Sequence, residues 1–220
     1  PPQGSAAFVC AMEDVLKVYS RPRDEKHPLV CLDEMCKQLI ADVRDPQPAL
    51  PGLAARVDYE YERRGMCSAF MVYAPLEKWR GVRVTGQRTA QHWAQTIKWL
   101  CDEVYPRAEK IVLVQDNLNT HTPASLYEAF TPQEAMRLKE RIEWHYTPKH
   151  GSWLNMAEIE IGVAQHQCLD RRIGDQATLE RELEAWSQKR NAAHCGTDWQ
   201  FTTQDARIKL KRLYPSTLMT

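Results

Sequence analysis

With 220 residues, 43% of them hydrophobic, the chain can bury one substantial core and not several. Its 29 Lys and Arg balance its 29 Asp and Glu, so net charge supplies no argument for a polyanionic partner, and any such surface must be local. Seven cysteines, an odd number without regular spacing or a CxxC pair, argue against a disulfide framework and a zinc ribbon and predict reduced thiols.

The opening PPQGSAAFVC has no basic segment ahead of a long apolar one, and no run of about 18 apolar residues occurs, so a soluble cytoplasmic protein off the membrane is expected. Pro1 in place of an initiator Met suggests sequence upstream. Phe8, Met12, Val15, Leu16 and Tyr19 recur at helical spacing until SRPRDEKHP interrupts them. PLVCLDE, residues 28–34, reads as a short apolar strand that terminates on Asp33 and Glu34. Val57, Tyr59, Tyr61, Phe70, Val72, Tyr73, Val82 and Val84, punctuated by Gly65 and Gly81, predict a meander.

A helix follows, carrying Trp93, Ile97, Leu100, Cys101 and Val104 and stopped by Pro106. Ile111 to Val114 then form a buried strand that runs into Asp116, Asn117 and Asn119, with His121 close behind. HTPASLYEAF and TPQEAMRLKERI each place a Thr hydroxyl ahead of a first-turn Pro, and Thr131 with Glu134 spells a capping box. IEWHYTP is a short strand ended by Pro148; helices start near Asn155 and over DQATLERELEAWSQKRN, where Leu179, Leu183 and Trp186 share a face. The tail DARIKLKRLYP is basic and helical or irregular. This order matches an α/β domain of RNase H-like type, a mixed five-stranded sheet flanked by helices on both faces.

In such a sheet the first and fourth strands are neighbours, which brings Asp33 and Asp116 together. Carboxylates that close repel and shift in pKa unless a cation neutralises them. Mg²⁺ suits them, because it takes oxygen ligands and is held by one or two carboxylates with phosphate and water. Two ions about 3.5–4 Å apart would serve an in-line phosphoryl displacement. The bland alternative for either Asp is a turn residue bonding nearby backbone. A third carboxylate is needed, and SWLNMAEIEIGV offers two. Leu154, Ala157, Ile161, Ala164 and Cys168 make one helical stripe with Glu158 and Glu160 on opposite borders, and Asn155 with Glu158 equally makes a helix-start pair. Periodicity does not choose between them.

The stretches VCLDE, VLVQDNLNTHTPASLYEAF, YTPKHGSWLNMAEIE and QCLDRRI resemble the catalytic domain of bacterial insertion-sequence DDE transposases of the IS six-thirty group, in the mariner-like superfamily. The resemblance runs from about Phe8 to Pro215. It implies an RNase H-like fold and an acidic triad, position by position Asp33 in CLDE, Asp116 in VQDN and Glu158 in LNMAE, with Glu160 a helix-face acid. It also implies Mg²⁺, with Mn²⁺ as substitute, as two ions once DNA is bound; transposon-end and target DNA as partners; a homodimer; and a nucleoid-associated activity that cuts transposon ends and joins the 3′-hydroxyl to a TA target.

The expected organisation is an N-terminal helix and linker over 1–27 and a DDE catalytic domain over 28–220. The family's upstream helix-turn-helix reader has no counterpart before Phe8. Asn117, Asn119, His121, Lys149, His150, Arg171 and Arg172 are candidates to contact DNA or orient the acids, each weighed against a turn, cap or solvated charge. Trp153 reads as core rather than as a base-stacking platform, and Cys31 and Cys36 read as packing residues. The rival readings are an RNase H-like nuclease without strand transfer and a catalytically silent DNA-clamping or dimerisation fragment.

Overall fold

The computed structural model describes residues 5–44, 47–54, 56 and 58–215; Val57 of the predicted meander lies outside the described residues. Strand β1, Leu29–Asp42, sends Leu29, Cys31, Met35 and Leu39 into one hydrophobic cluster and Val30 and Leu32 into another. A strand apolar on both faces belongs mid-sheet. On one side β1 pairs antiparallel with β2, Tyr61–Ala74, and β2 antiparallel with β3, Trp79–Thr85. On the other it pairs parallel with β4, Ile111–Gln115, and β4 parallel with β5, Ile142–Tyr146. The order is β3-β2-β1-β4-β5, with β1 beside β4 as expected.

One boundary differs. β1 does not end on Asp33 and Glu34; it continues along β2 to Asp42, and only its ladder with β4 stops, at Leu32 opposite Gln115. Polar residues do not end a strand whose neighbour still supplies hydrogen bonds, and Met35 and Leu39 keep the two-residue alternation into the core.

Helix α1, Ala6–Tyr19, packs on one face with α5, Met156–Gln167, α6, Gln176–Ala192, and α7, Thr203–Lys209. The other face carries α2, Ala90–Trp99, prolonged by a π-helical turn over Leu100–Val104, then α3, Pro123–Ala129, and α4, Pro132–Glu140. Thr131 caps α4 through the Glu134 N–H at 3.4 Å, but the Glu134 carboxylate turns to Arg137 and Lys98, so the capping box does not close; Thr122 makes no side-chain cap. Gly81 is not a turn signal. It sits within β3, where a Cβ would come within 2.7 Å of the Trp99 ring.

All seven cysteines are free; Cys31 is buried as expected, while Cys36 is exposed and so is not a packing residue. Among the described residues no helix is long and apolar enough to cross a membrane.

Candidate active site at the end of the β1–β4 ladder

Parallel register pairs Leu32 with Gln115, so the next residue on each strand is an acid, Asp33 on β1 and Asp116 just past β4. By alternation Asp33 shares the face of Cys31 and Met35, which α5 covers. The start of α5 is tied to this point by Asn155. Its side-chain oxygen accepts from Ala157 N at 3.1 Å, and its amide donates to the Leu32 carbonyl at 2.9 Å and Asp33 Oδ2 at 3.2 Å. Asn155 is fully buried, and Glu158, in the first turn of α5, is exposed.

Burial pushes the Asp33 carboxyl up to about 7. The Glu34 N–H, 2.9 Å from Oδ1, opposes that rise, and the negative charges of Asp116, Glu34 and Glu158 add to it. Crowding by these charges, with no side-chain cation paired to Asp33 or Glu158 among the described residues, is an environment that a hard divalent ion relieves. Among the described residues the ion pairs of Asp33, Asp116 and Glu158 are limited to Asp116 with His121.

Glu34 points to the opposite face of β1 and meets different partners. Its carboxylate lies 3.3 Å from Arg88 and 3.3 Å from His121 Nε2, the latter close enough to pair but not aligned for a hydrogen bond. His121 Nδ1 hydrogen-bonds Asp116 Oδ1. The imidazole is 3% exposed and stacks on Trp93, with centroids 5.9 Å apart. Its backbone carbonyl accepts from Gln115 Nε2 at 2.7 Å, and Gln115 Oε1 accepts from Trp93 Nε1 at 3.0 Å. Burial also raises the Glu34 carboxyl, opposed by His121 and reinforced by Asp116. Among the described residues, Glu34, Asp116 and His121 form the cluster whose ligand atoms all lie within 4.8 Å of one another; the expected triad is more open.

A family model described as DDE superfamily endonuclease matches residues 28–180, about two thirds of the chain and all five strands. The chain belongs to this DDE superfamily. No curated protein matches it significantly. Solved structures supply fold relatives. A Mos1 mariner paired-end complex with Mn shares 14% identity at TM-score 0.55, over 86% of this chain and 57% of that one. The Mos1 strand transfer complex gives 14% and 0.57 over 83% and 53%, and a Mos1 paired-end complex with Mg 12% and 0.55 over 97% and 65%. The chain thus spans between 53% and 65% of the length of these relatives, and at this identity the likeness shows a common RNase H-like α/β fold.

In this DDE chain the other expected site residues scatter. Asn117 and Asn119 are exposed in the loop from Asp116 to His121, and Lys149 and His150 are exposed in the turn before α5, with His150 at φ +64°. Arg171 pairs with Glu182 and donates to the Cys168 carbonyl at 3.2 Å. Arg172 binds Asp42 at 2.6 Å and the Glu60 carbonyl at 3.0 Å, at the far end of β1, about 30 Å along the strand from Asp33. Glu160 is not a helix-face acid. It is 1% exposed, 3.1 Å from Arg80 and 3.1 Å from Arg190.

Glu34, Asn155 and Glu160 are the residues whose surroundings sequence reasoning missed. Alternation along β1 was the available signal for Glu34, since residues 33 and 34 must face opposite sides of a continuing strand.

Proposed function

We propose that this chain is the catalytic part of a DNA transposase, cutting transposon ends and joining the freed 3′-hydroxyl to target DNA. The observation that carries the reading is the register of β1 and β4, which sets Asp33 and Asp116 on adjacent strands where the N-terminus of α5 delivers Glu158. Asp33, Asp116 and Glu158 would hold Mg²⁺ or Mn²⁺, as a pair of ions with DNA present. When bound, such ions neutralise the acids, activate water and stabilise the attacking and leaving oxygens at phosphorus.

The chain's own contribution is position. Asp33 is fixed by the buried Asn155 amide, so its carboxylate is aimed before any ligand arrives. Glu158 stays exposed and is free to swing onto an ion. His121 acts as a brace, with one nitrogen on Asp116, the other facing Glu34 and its ring face on Trp93. An ionised Asp116 can only accept, so Nδ1 carries the proton there. Transposon-end and target DNA, and a second copy of the chain, are the partners this reading requires.

The brace predicts a difference between two amides. His121→Asn keeps a donor near the Nδ1 position and should hold Mn²⁺ within a few-fold of the parent, whereas His121→Gln and His121→Ala should weaken it about 10- to 100-fold. Calorimetric titration with Mn²⁺ reads this without any turnover. Equal affinity in all three variants would remove the brace.

The strand-transfer step is tested with labelled duplex carrying a pre-cut 3′-hydroxyl end, incubated with plasmid and Mg²⁺ or Mn²⁺. Joined product is expected. Cleavage of uncut ends with no joining would leave a nuclease, and neither activity together with no Mn²⁺ binding would leave a silent fragment.

A further inference from the structure

The turn that precedes α5, Ser152–Leu154, splits two apolar neighbours: Leu154 is fully buried, whereas Trp153 is 43% exposed. Trp153 is therefore not core, and it is the one tryptophan in the exposed class among the described residues. It is nevertheless held. Its ring meets Phe201 edge to face, with centroids 5.9 Å apart and planes at 74°. Phe201 is anchored by its carbonyl, which accepts from Trp199 Nε1 at 2.6 Å, and the Lys209 ammonium lies 5.6 Å from its ring centre.

With Ser152, Asn155, Glu158 and Ile159, Trp153 lines an open concavity of about 320 Å³. Two of those residues, Asn155 and Glu158, belong to the acidic site, and exposed Lys149 and His150 lead into the turn. A braced π-surface with exposed Lys149 leading into it, opening onto acids that would hold phosphate-binding cations, has the composition of a single-strand stacking platform. Every base has a π-face, but a paired base presents it to its neighbours in the duplex; only an unstacked base reaches a side chain.

We infer that Trp153 is a stacking shelf for an unpaired nucleobase next to the phosphate that cations at Asp33, Asp116 and Glu158 would hold, with Phe201 as its backing. This rests on the proposed DNA chemistry and adds to it a subsite that selects locally opened DNA. The balance of 29 basic and 29 acidic residues fits such a site, because stacking supplies affinity that net charge does not.

The probe is a short duplex with a three-nucleotide single-stranded overhang carrying 2-aminopurine, mixed with the full chain in Ca²⁺, a hard cation used here in place of Mg²⁺ so that the strand stays uncut during the titration. The parent protein should quench the fluorophore. Trp153→Phe should keep most of the quench, while Trp153→Ala should lose it and bind about 5- to 150-fold more weakly. The fully paired duplex should bind both variants alike, and because the ring is only half buried Trp153→Ala should stay folded at the assay temperature, melting no more than a few degrees below the parent.

Quench and affinity unchanged in Trp153→Ala would overturn the shelf. So would unchanged DNA binding with an altered sedimentation coefficient, which would make Trp153 a protein-contact residue. If the parent binds neither probe the shelf falls too, and the separate cleavage assay on Asp116→Asn decides whether the transposase reading falls with it.

Discussion

On the proposed function, replacing Asp116 with Asn is expected to abolish DNA strand cleavage, lowering the rate by at least about a thousandfold, while the protein should melt at the parent temperature or slightly above it. The loss follows from removing one of two charges that the β1–β4 register brings side by side. An amide is nearly isosteric, so the ladder and the helices are untouched. The unchanged melting follows from the electrostatics. The Asp116 charge helps hold the Asp33 carboxyl at about 7, so neutralising it relieves repulsion at a half-buried site. Cleavage of end-labelled duplex in Mn²⁺, alongside calorimetric unfolding, checks both halves. Residual cleavage within tenfold of the parent would refute the placement of the active site.

Glu160→Ala is expected to be the most destabilising single change in the neighbourhood, about 3–5 kcal/mol, or roughly 6–20 °C in Tm for a chain of this size. Arg80 on β3 and Glu160 on α5 are 0% and 1% exposed in their side chains and 3.1 Å apart, and Arg190 on α6 reaches the same carboxylate at 3.1 Å. Asn191 locks the cluster: its side-chain oxygen accepts from Arg80 N at 2.9 Å and its amide donates to the Arg80 carbonyl at 2.8 Å. Truncating Glu160 leaves the buried Arg80 guanidinium with only neutral partners, the Asn191 side-chain oxygen, the Cys195 carbonyl and the Tyr73 ring, and that uncompensated charge is the source of the cost.

Replacing the pair together, Arg80→Met with Glu160→Leu, should recover much of the loss, because the Arg80–Glu160 Coulomb term and its desolvation penalty leave with each other, while the partly exposed Arg190 keeps its contacts with Gln167 and the Trp186 ring. Thermal melts of the three proteins test this. A Glu160→Ala protein within about 2 °C of the parent would contradict the reading of this cluster as a buried tie. Since α5 carries Glu158 one face away from Glu160, the single variant should also lose metal affinity, whereas the double variant should regain it.

The elements whose character was legible in the chain were those in which a local period coincides with the final burial. Ile111 to Val114 announce β4 and its end at Asp116; Phe8, Met12, Val15 and Leu16 announce α1; Leu179, Leu183 and Trp186 announce α6, and all of these are buried in the structure. Periodicity failed for Glu158 and Glu160, because a helix stripe shows which residues border the core but not what the neighbouring elements bring to each border.

Apolar repeats read along the chain by themselves determined the kinds of element and their order; that order matches a mixed sheet with β1 beside β4, and it was the family resemblance, not periodicity, that singled out Asp33, Asp116 and Glu158. Only the tertiary structure decided that β1 runs on to Asp42, that Glu34 turns to His121 on the opposite face, and that Glu160 is buried while Glu158 is exposed. The reason is that a carboxylate's environment is set by partners remote in the chain, Arg80 and Arg190 in one case and the closely placed Asp116 and Asp33 in the other.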